Sequence, residues 1–246
     1  MSVGRKVWSG RTQDLSRMSL TDFLKAFFTH PTVLAYWLMA AIGGGLAIHW
    51  AEAVWPPVVA TTLMGLLYPL AEYGLHRYVL HGRFLYKVPL TALLWKRIHF
   101  DHHRDPHDLR VLFGALYTTV PTLALVALPI GWTVGGRAGA AAAFAAGSLI
   151  ICFYEFCHCV QHLHYMPKSP FLQRIKRLHL AHHFHNETGN YGITSFIWDR
   201  VFRTLYEEAK DIPRSSTVFN LGYTRAEAER YPWVTELSKS PRGDGD

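Results

Sequence analysis

Four stretches of this 246-residue chain contain no charged side chain: Ala26 to Ala51, Ala53 to Ala71, Val111 to Gly136 and Ala138 to Tyr154. A bilayer core about 30 Å thick needs roughly 20 predominantly apolar residues in a helix. Three of these gaps meet or nearly meet that length, and the fourth does so if its helix runs on through Cys157. A water-soluble reading would bury four such helices in one small core. The pattern therefore predicts an all-α integral membrane protein with four spans, at about 31–50, 56–77, 111–133 and 138–158.

Basic residues orient such a protein, because Lys and Arg collect on the cytosolic side. With the N-terminus inside, the outer turns are His49 to Trp55, without Lys or Arg, and Thr133 to Arg137, with Arg137 alone. Most of the remaining basic residues, and the net charge of +7, fall on the cytosolic side. This multi-pass topology puts both termini in the cytosol, in a bacterial inner membrane or the endoplasmic reticulum. The charge reads as topogenic and headgroup-directed, so no nucleic-acid partner is expected. Arg5, Lys6, Arg11 and Arg17 enclose no apolar core, so no cleavable signal peptide is expected. Cys152, Cys157 and Cys159, odd in number and in or beside the last span, read as small packing residues.

The chain repeats itself weakly. Lys96, Arg97, Ile98, His99, His102 and His103 are echoed by Lys176, Arg177, Leu178, His179, His182 and His183. Each copy follows a returning span that ends in Glu72, His76 and His81, or in Glu155, His158 and His162. Two such halves facing one another would build one bimetallic centre. Residues at i, i+3 and i+4 share a helix face, so each H-x-x-H-H triplet can converge. His76 and His81, five apart, diverge by about 140° on a regular helix; Gly82 suggests a helix end that frees His81 to bend back.

Imidazole suits iron, zinc, copper and nickel, and core packing does not require four clusters with this spacing. Glu72 and Glu155, inside the apolar layer, either accept a proton from a metal-bound imidazole ring or hydrogen-bond another segment; the spacing favours neither. His30, His49, His107, His164 and His185 stand outside the pattern. Leu90 to His103 and Phe171 to His183 mix apolar and basic residues, as helices lying in the headgroup layer do.

The order H-x4-H, H-x-x-H-H, H-x3-H, H-x-x-H-H resembles the fatty acid hydroxylase and sterol desaturase superfamily of membrane non-haem diiron enzymes. The likeness runs from Glu72 to Thr204 and includes Asn190 to Ser195, Trp198, Asp199, Phe202 and Thr204. It implies a helical cytosolic cap in which His76, His81, His99, His102, His103, His158, His162, His179, His182 and His183 hold two irons, with Glu72, Glu155 and Asn190 behind them. The resemblance further implies residues 1–30 as a cytosolic segment, 31–209 as the membrane hydroxylase domain and 210–246 as a polar tail. Zinc suits the same nitrogen-rich set.

Oxidising an unactivated carbon-hydrogen bond is beyond side-chain acid-base chemistry, so the expected co-substrate is dioxygen and the substrate a lipid. The cluster spacings look most like the fatty acid 2-hydroxylase branch; sterol desaturases and carotenoid hydroxylases are the alternatives, and a metal transporter is a remote one. Many relatives in that branch carry a haem domain of the cytochrome b type that has no counterpart here, so a separate electron donor, a ferredoxin or small cytochrome, is expected. Its docking face would be basic, around Lys96, Arg97, Lys176 and Arg177.

Overall fold

The computed structural model describes residues 14–239, which are helical apart from loops and one bridge pair, Asp14 with Asp108. A short helix α1 (Leu20–Thr29) leads into α2 (Pro31–Trp50) and α3 (Trp55–Gly74). His30 starts α2 by accepting the Thr32 N–H at 3.2 Å, and Pro31 takes a first-turn position where a missing donor costs little.

α3 continues into a π-helical turn, Leu75–Leu80. Next come α4 (Pro89–Trp95), a second π turn (Lys96–Phe100), α5 (Asp101–Arg104) and α6 (Leu109–Leu112). The third apolar stretch was expected to be helical from Val111, yet its long helix starts at Leu116. Between them the Gly114 N–H turns aside to the Glu155 carboxylate at 2.9 Å, and Leu112 and Phe113 are buried in a cluster with Phe27 and Val160.

Among the described residues, three helices are long and apolar enough to cross a membrane: Pro31–Trp50, Trp55–Lys87 and Leu116–His162. The last, α7, is folded on itself. Gly135 and Gly136 leave the helical region, Gly136 at φ +55°, which suits glycine. A β-carbon on Gly131 would fall 2.2 Å from the Gly139 carbonyl oxygen, so two glycines let the antiparallel arms touch backbone to backbone. A β-carbon on Gly135 would meet Pro56, which puts this turn beside the start of α3. Ala47, Ala60, Ala127, Ala142 and Ala143 continue the close packing among α2, α3 and α7.

Beyond α7 lie α8 (Pro170–Phe184), α9 (Ile197–Val201), α10 (Arg225–Arg230) and α11 (Trp233–Lys239). Part of the stretch expected as a polar tail is therefore folded. Leu221, Tyr223 and Val234 are buried with Tyr86, Ala92 and Trp95 of the α3–α4 region, because the polar tail contains enough aromatic and aliphatic residues to cover α4. Ser240 to Asp246 lie outside the described residues.

Candidate metal centre

The π turn solves the problem posed by H-x4-H. Its hydrogen bond runs from the His81 N–H to the His76 carbonyl at 3.0 Å, so residues five apart stack instead of diverging. The two Nε2 atoms come within 3.2 Å, and His99 Nε2 lies 2.8 Å from His81 Nε2. His103, one turn past His99, completes a group of four.

A second group contains His102, His158, His162, His179 and His183. In each group the ligand-capable atoms lie within 4.8 Å of one another. The H-x-x-H-H triplets do not each converge on one point. His99 and His103 face the first group while His102 crosses to the second; His179 and His183 face the second while His182 crosses to the first. The His182 ring centroid is 4.9, 4.8 and 5.1 Å from those of His76, His81 and His103. The two halves of the repeat thus interlock through their middle histidines.

The donors fit metal ions. His102 and His158 oppose Nε2 atoms at 3.0 Å, as do His162 and His179; two nitrogens each about 2.1 Å from one ion sit about 3 Å apart at right angles. Nε2 of His103 and His182, and both ring nitrogens of His183, are buried with no hydrogen-bond partner. Burial, reinforced by neighbouring imidazoles, holds His99, His102, His103, His179 and His183 well below the usual histidine pKa. Burial brings His182 down to about 4. Neutral imidazole is the ligating form, and an all-nitrogen set suits iron or zinc. The three cysteines are buried in apolar clusters away from this set.

Backbone carbonyls orient three of the rings. Nδ1 of His182 donates to the Gly189 carbonyl at 2.7 Å, Nδ1 of His103 to that of Val218 at 3.2 Å, and Nδ1 of His76 to that of Tyr191. Each bond places the ring proton on Nδ1 and leaves Nε2 free for a metal.

The loop carrying Gly189 and Tyr191 is itself held from four sides. Asp199 accepts the Tyr191 and Gly192 N–H groups, both at 2.8 Å. Glu72 accepts from the Ile193 and Thr194 N–H groups at 2.7 and 3.0 Å and from the Thr194 hydroxyl at 2.6 Å. Gln161 donates to the Ile193 carbonyl at 2.7 Å. Asn190, at φ +55°, donates to the Tyr206 carbonyl at 2.9 Å and accepts the Tyr206 N–H at 3.0 Å.

Glu72 and Asn190 therefore act on the loop and not on an imidazole, and Glu155 bonds Gly114. Of the two readings left open for the carboxylates, these contacts match the bond to another segment. Asp199, Gln161 and the Val218 carbonyl complete the support. Asp199 belonged to the matched motif, but spacing alone assigned it no role.

The remaining histidines lie outside the two groups. His30 stacks on Phe113, with ring centroids 3.9 Å apart, while His107 donates to the His162 carbonyl at 3.0 Å and His185 to that of Ile212 at 2.8 Å.

Lys96, Lys176 and Arg177, three of the four cations expected to form a docking face, have partners within the chain. Lys176 is buried and donates to the Val160 and Gln161 carbonyls at 3.2 and 3.1 Å and to that of Leu163, closing the C-terminus of α7. Lys96 bonds Asp101 at 2.7 Å, and Arg177 shares Glu207 with Arg174. These cations are used within the chain.

Directly against the histidines lies a cavity of about 290 Å³. His99, His102 and His158 line one end; Leu67, Leu123 and Val126 line the other. No lysine or arginine is among its lining residues.

The model of the fatty acid hydroxylase family matches residues 61–204. The chain is 33% identical over 157 residues to the dihydroceramide fatty acyl 2-hydroxylase FAH1 of Arabidopsis thaliana, a match covering 61% of this chain and 62% of that protein. It is 32% identical over 145 residues to the ceramide very long chain fatty acid hydroxylase SCS7 of Saccharomyces cerevisiae, covering 56% of this chain and 35% of the relative. It thus spans less than two thirds of either relative's length. A solved structure titled full length scs7p, with only the hydroxylase domain visible, superposes with a TM-score of 0.64 at 26% identity, covering 80% of this chain and 73% of that one.

Proposed function

Because this chain belongs to the fatty acid hydroxylase family, we propose that it is a membrane-bound, dioxygen-dependent lipid hydroxylase that acts on carbon 2 of a fatty acid or acyl lipid. The observation that carries this reading is the junction of two histidine groups with the apolar cavity beneath them. The names of the relatives favour an acyl chain held in amide linkage, as in a ceramide.

His76, His81, His99 and His103, with His182 beside them, would hold one iron; His102, His158, His162, His179 and His183 would hold the other. Two irons supply dioxygen activation, converting a carbon-hydrogen bond, dioxygen, two electrons and two protons into an alcohol and water. The protein's part is placement. Carbonyl-oriented imidazoles fix the donor set, and apolar walls keep water from the carbon to be oxidised. A centre at headgroup depth reaches a carbon near a lipid's polar end most readily.

The two electrons would come from a separate ferredoxin or small cytochrome. The two arms of α7 would be separate spans, giving four crossings with both termini and a histidine-bearing helical cap in the cytosol. The support for this is the fold of α7 at Gly135 and Gly136 and the basic asymmetry of the turns.

Lipid mass spectrometry of cells with and without the protein tests the reading. The expected result is one added oxygen at position 2 of acyl chains. Oxygen added to sterols or carotenoids with acyl chains unchanged overturns the substrate, and metal flux without lipid-dependent oxygen use overturns the enzyme.

A further inference from the structure

Two buried side chains line the cavity towards its end away from the histidines. Met64 of α3 and Leu123 of the first arm of α7 are 2% and 5% exposed, and they line it together with Leu67 and Val126. Beyond them the packing is closed. Ala60, Ala127 and Ala143 are fully buried, and Gly131 and Gly139 touch through their backbones. Met64 precedes His76 by twelve positions in α3 and its continuation, so this floor lies about 18 Å from the nearest histidine plane.

A third residue decides where the floor sits. A β-carbon on Gly147 would lie 2.4 Å from Leu123 Cδ1 and 3.3 Å from Met64 Cε. Both neighbours are the far ends of flexible side chains, so any atom added at Gly147 displaces them. Ala60, Ala127 and Ala143 beside them are fully buried, and both side chains line the cavity, so the cavity is the space into which they can move.

We propose that Met64 and Leu123 set the length of acyl chain this protein accepts, with Gly147 as the residue that lets them recede. The inference rests on the acyl hydroxylase reading and adds its chain-length determinant. A tail entering from the histidine end meets a wall whose depth is set by two side chains and a glycine on three different helical segments. In an apolar pocket a misfit of one methylene changes turnover about tenfold or more, enough to impose a sharp preference.

Gly147→Ala and Met64→Ala test this in opposite directions. The first places a methyl group behind the floor and raises helix propensity; the second deepens the cavity. Membranes containing the full chain, with reductant and an equimolar mixture of saturated fatty acids of graded length as acyl source, are assayed for 2-hydroxy products. Gly147→Ala should shift the product profile to shorter chains and Met64→Ala to longer ones, by about tenfold per methylene. Leu149→Ala, exposed on the same arm of α7, should leave the profile unchanged.

Metal content and thermal unfolding identify any variant that has not folded, and the other variant then carries the test, an unchanged profile in folded, active Met64→Ala overturning the floor equally. An unchanged profile in folded, active Gly147→Ala overturns the floor, as does a shift to longer chains. Failure of the unsubstituted protein to hydroxylate any acyl chain overturns the hydroxylase reading beneath it, a distinguishable result.

Discussion

Each oriented imidazole in the centre depends on a carbonyl, and the Tyr191 carbonyl depends in turn on buried carboxylates. Asp199 has no exposed surface, and burial raises its pKa while its hydrogen bonds oppose that rise. Asp199→Asn can keep one acceptor for the Tyr191 N–H but turns an amide donor towards the Gly192 N–H. A buried unsatisfied donor costs about 1–3 kcal/mol, and disturbing the support of a metal-bound histidine typically weakens metal binding about tenfold or more. The expected outcome is a lower melting temperature and earlier loss of metal to a graded chelator, both measured on one preparation. Wild-type metal retention with an unchanged melt would remove Asp199 from this chain of support. The histidines were legible in the sequence because ligand spacing on a helix is local; the partners of Glu72, Glu155 and Asn190 were not, since they lie 121, 41 and 16 residues away.

At the level of elements, departures from regular helix do the placing. The two π turns, Leu75–Leu80 and Lys96–Phe100, reset the phase of the helices that carry His76, His81 and His99. Gly82 had suggested a helix end, and the π turn reaches the same convergence by a different backbone route. The buried Lys176 closes α7 where His162 is presented, taking up carbonyls that the end of a helix leaves without donors. Burial brings its ammonium down to about 8. Lys176→Met should preserve volume while orphaning those carbonyls, destabilising the protein by about 1–3 kcal/mol. Thermal unfolding in detergent reads this directly, and an unchanged melting temperature would show that the carbonyls have other partners. In sequence Lys176 resembled its surface neighbour Arg177, because burial is decided by the end of α7 packing over α8.

Taken as a whole, the molecule shows water a surface it would not tolerate. Leu38, Ile48, Leu66, Leu125 and Trp132 are 61–80% exposed on α2, α3 and α7, an apolar belt of the kind that marks a membrane or partner surface. The α7 turn lies beside Pro56, and Arg137 rests over Trp50, at the end of the bundle away from the histidines. Single cysteines replacing Glu52 and Arg137 should therefore react with an impermeant reagent from the outer face, and one replacing Asp105 only from the cytosolic face. The native cysteines are buried, which keeps the background low. Labelling of all three from one side would refute a hairpin that crosses twice.

Sequence alone determined that the chain is helical, that its apolar stretches are long enough for a bilayer, and that ten histidines recur in two matched halves. These are local properties, fixed by hydropathy over one helix length and by the period of the helix. Only the tertiary structure decided that His102 and His182 cross between the groups, that part of the apparent tail returns to hold His103, and that Lys176 turns inward. It also decided where the cavity stops. Each of these outcomes depends on which distant segment fills the space beside a residue, and that is settled when helices close on one another and leave buried polar groups a single set of partners.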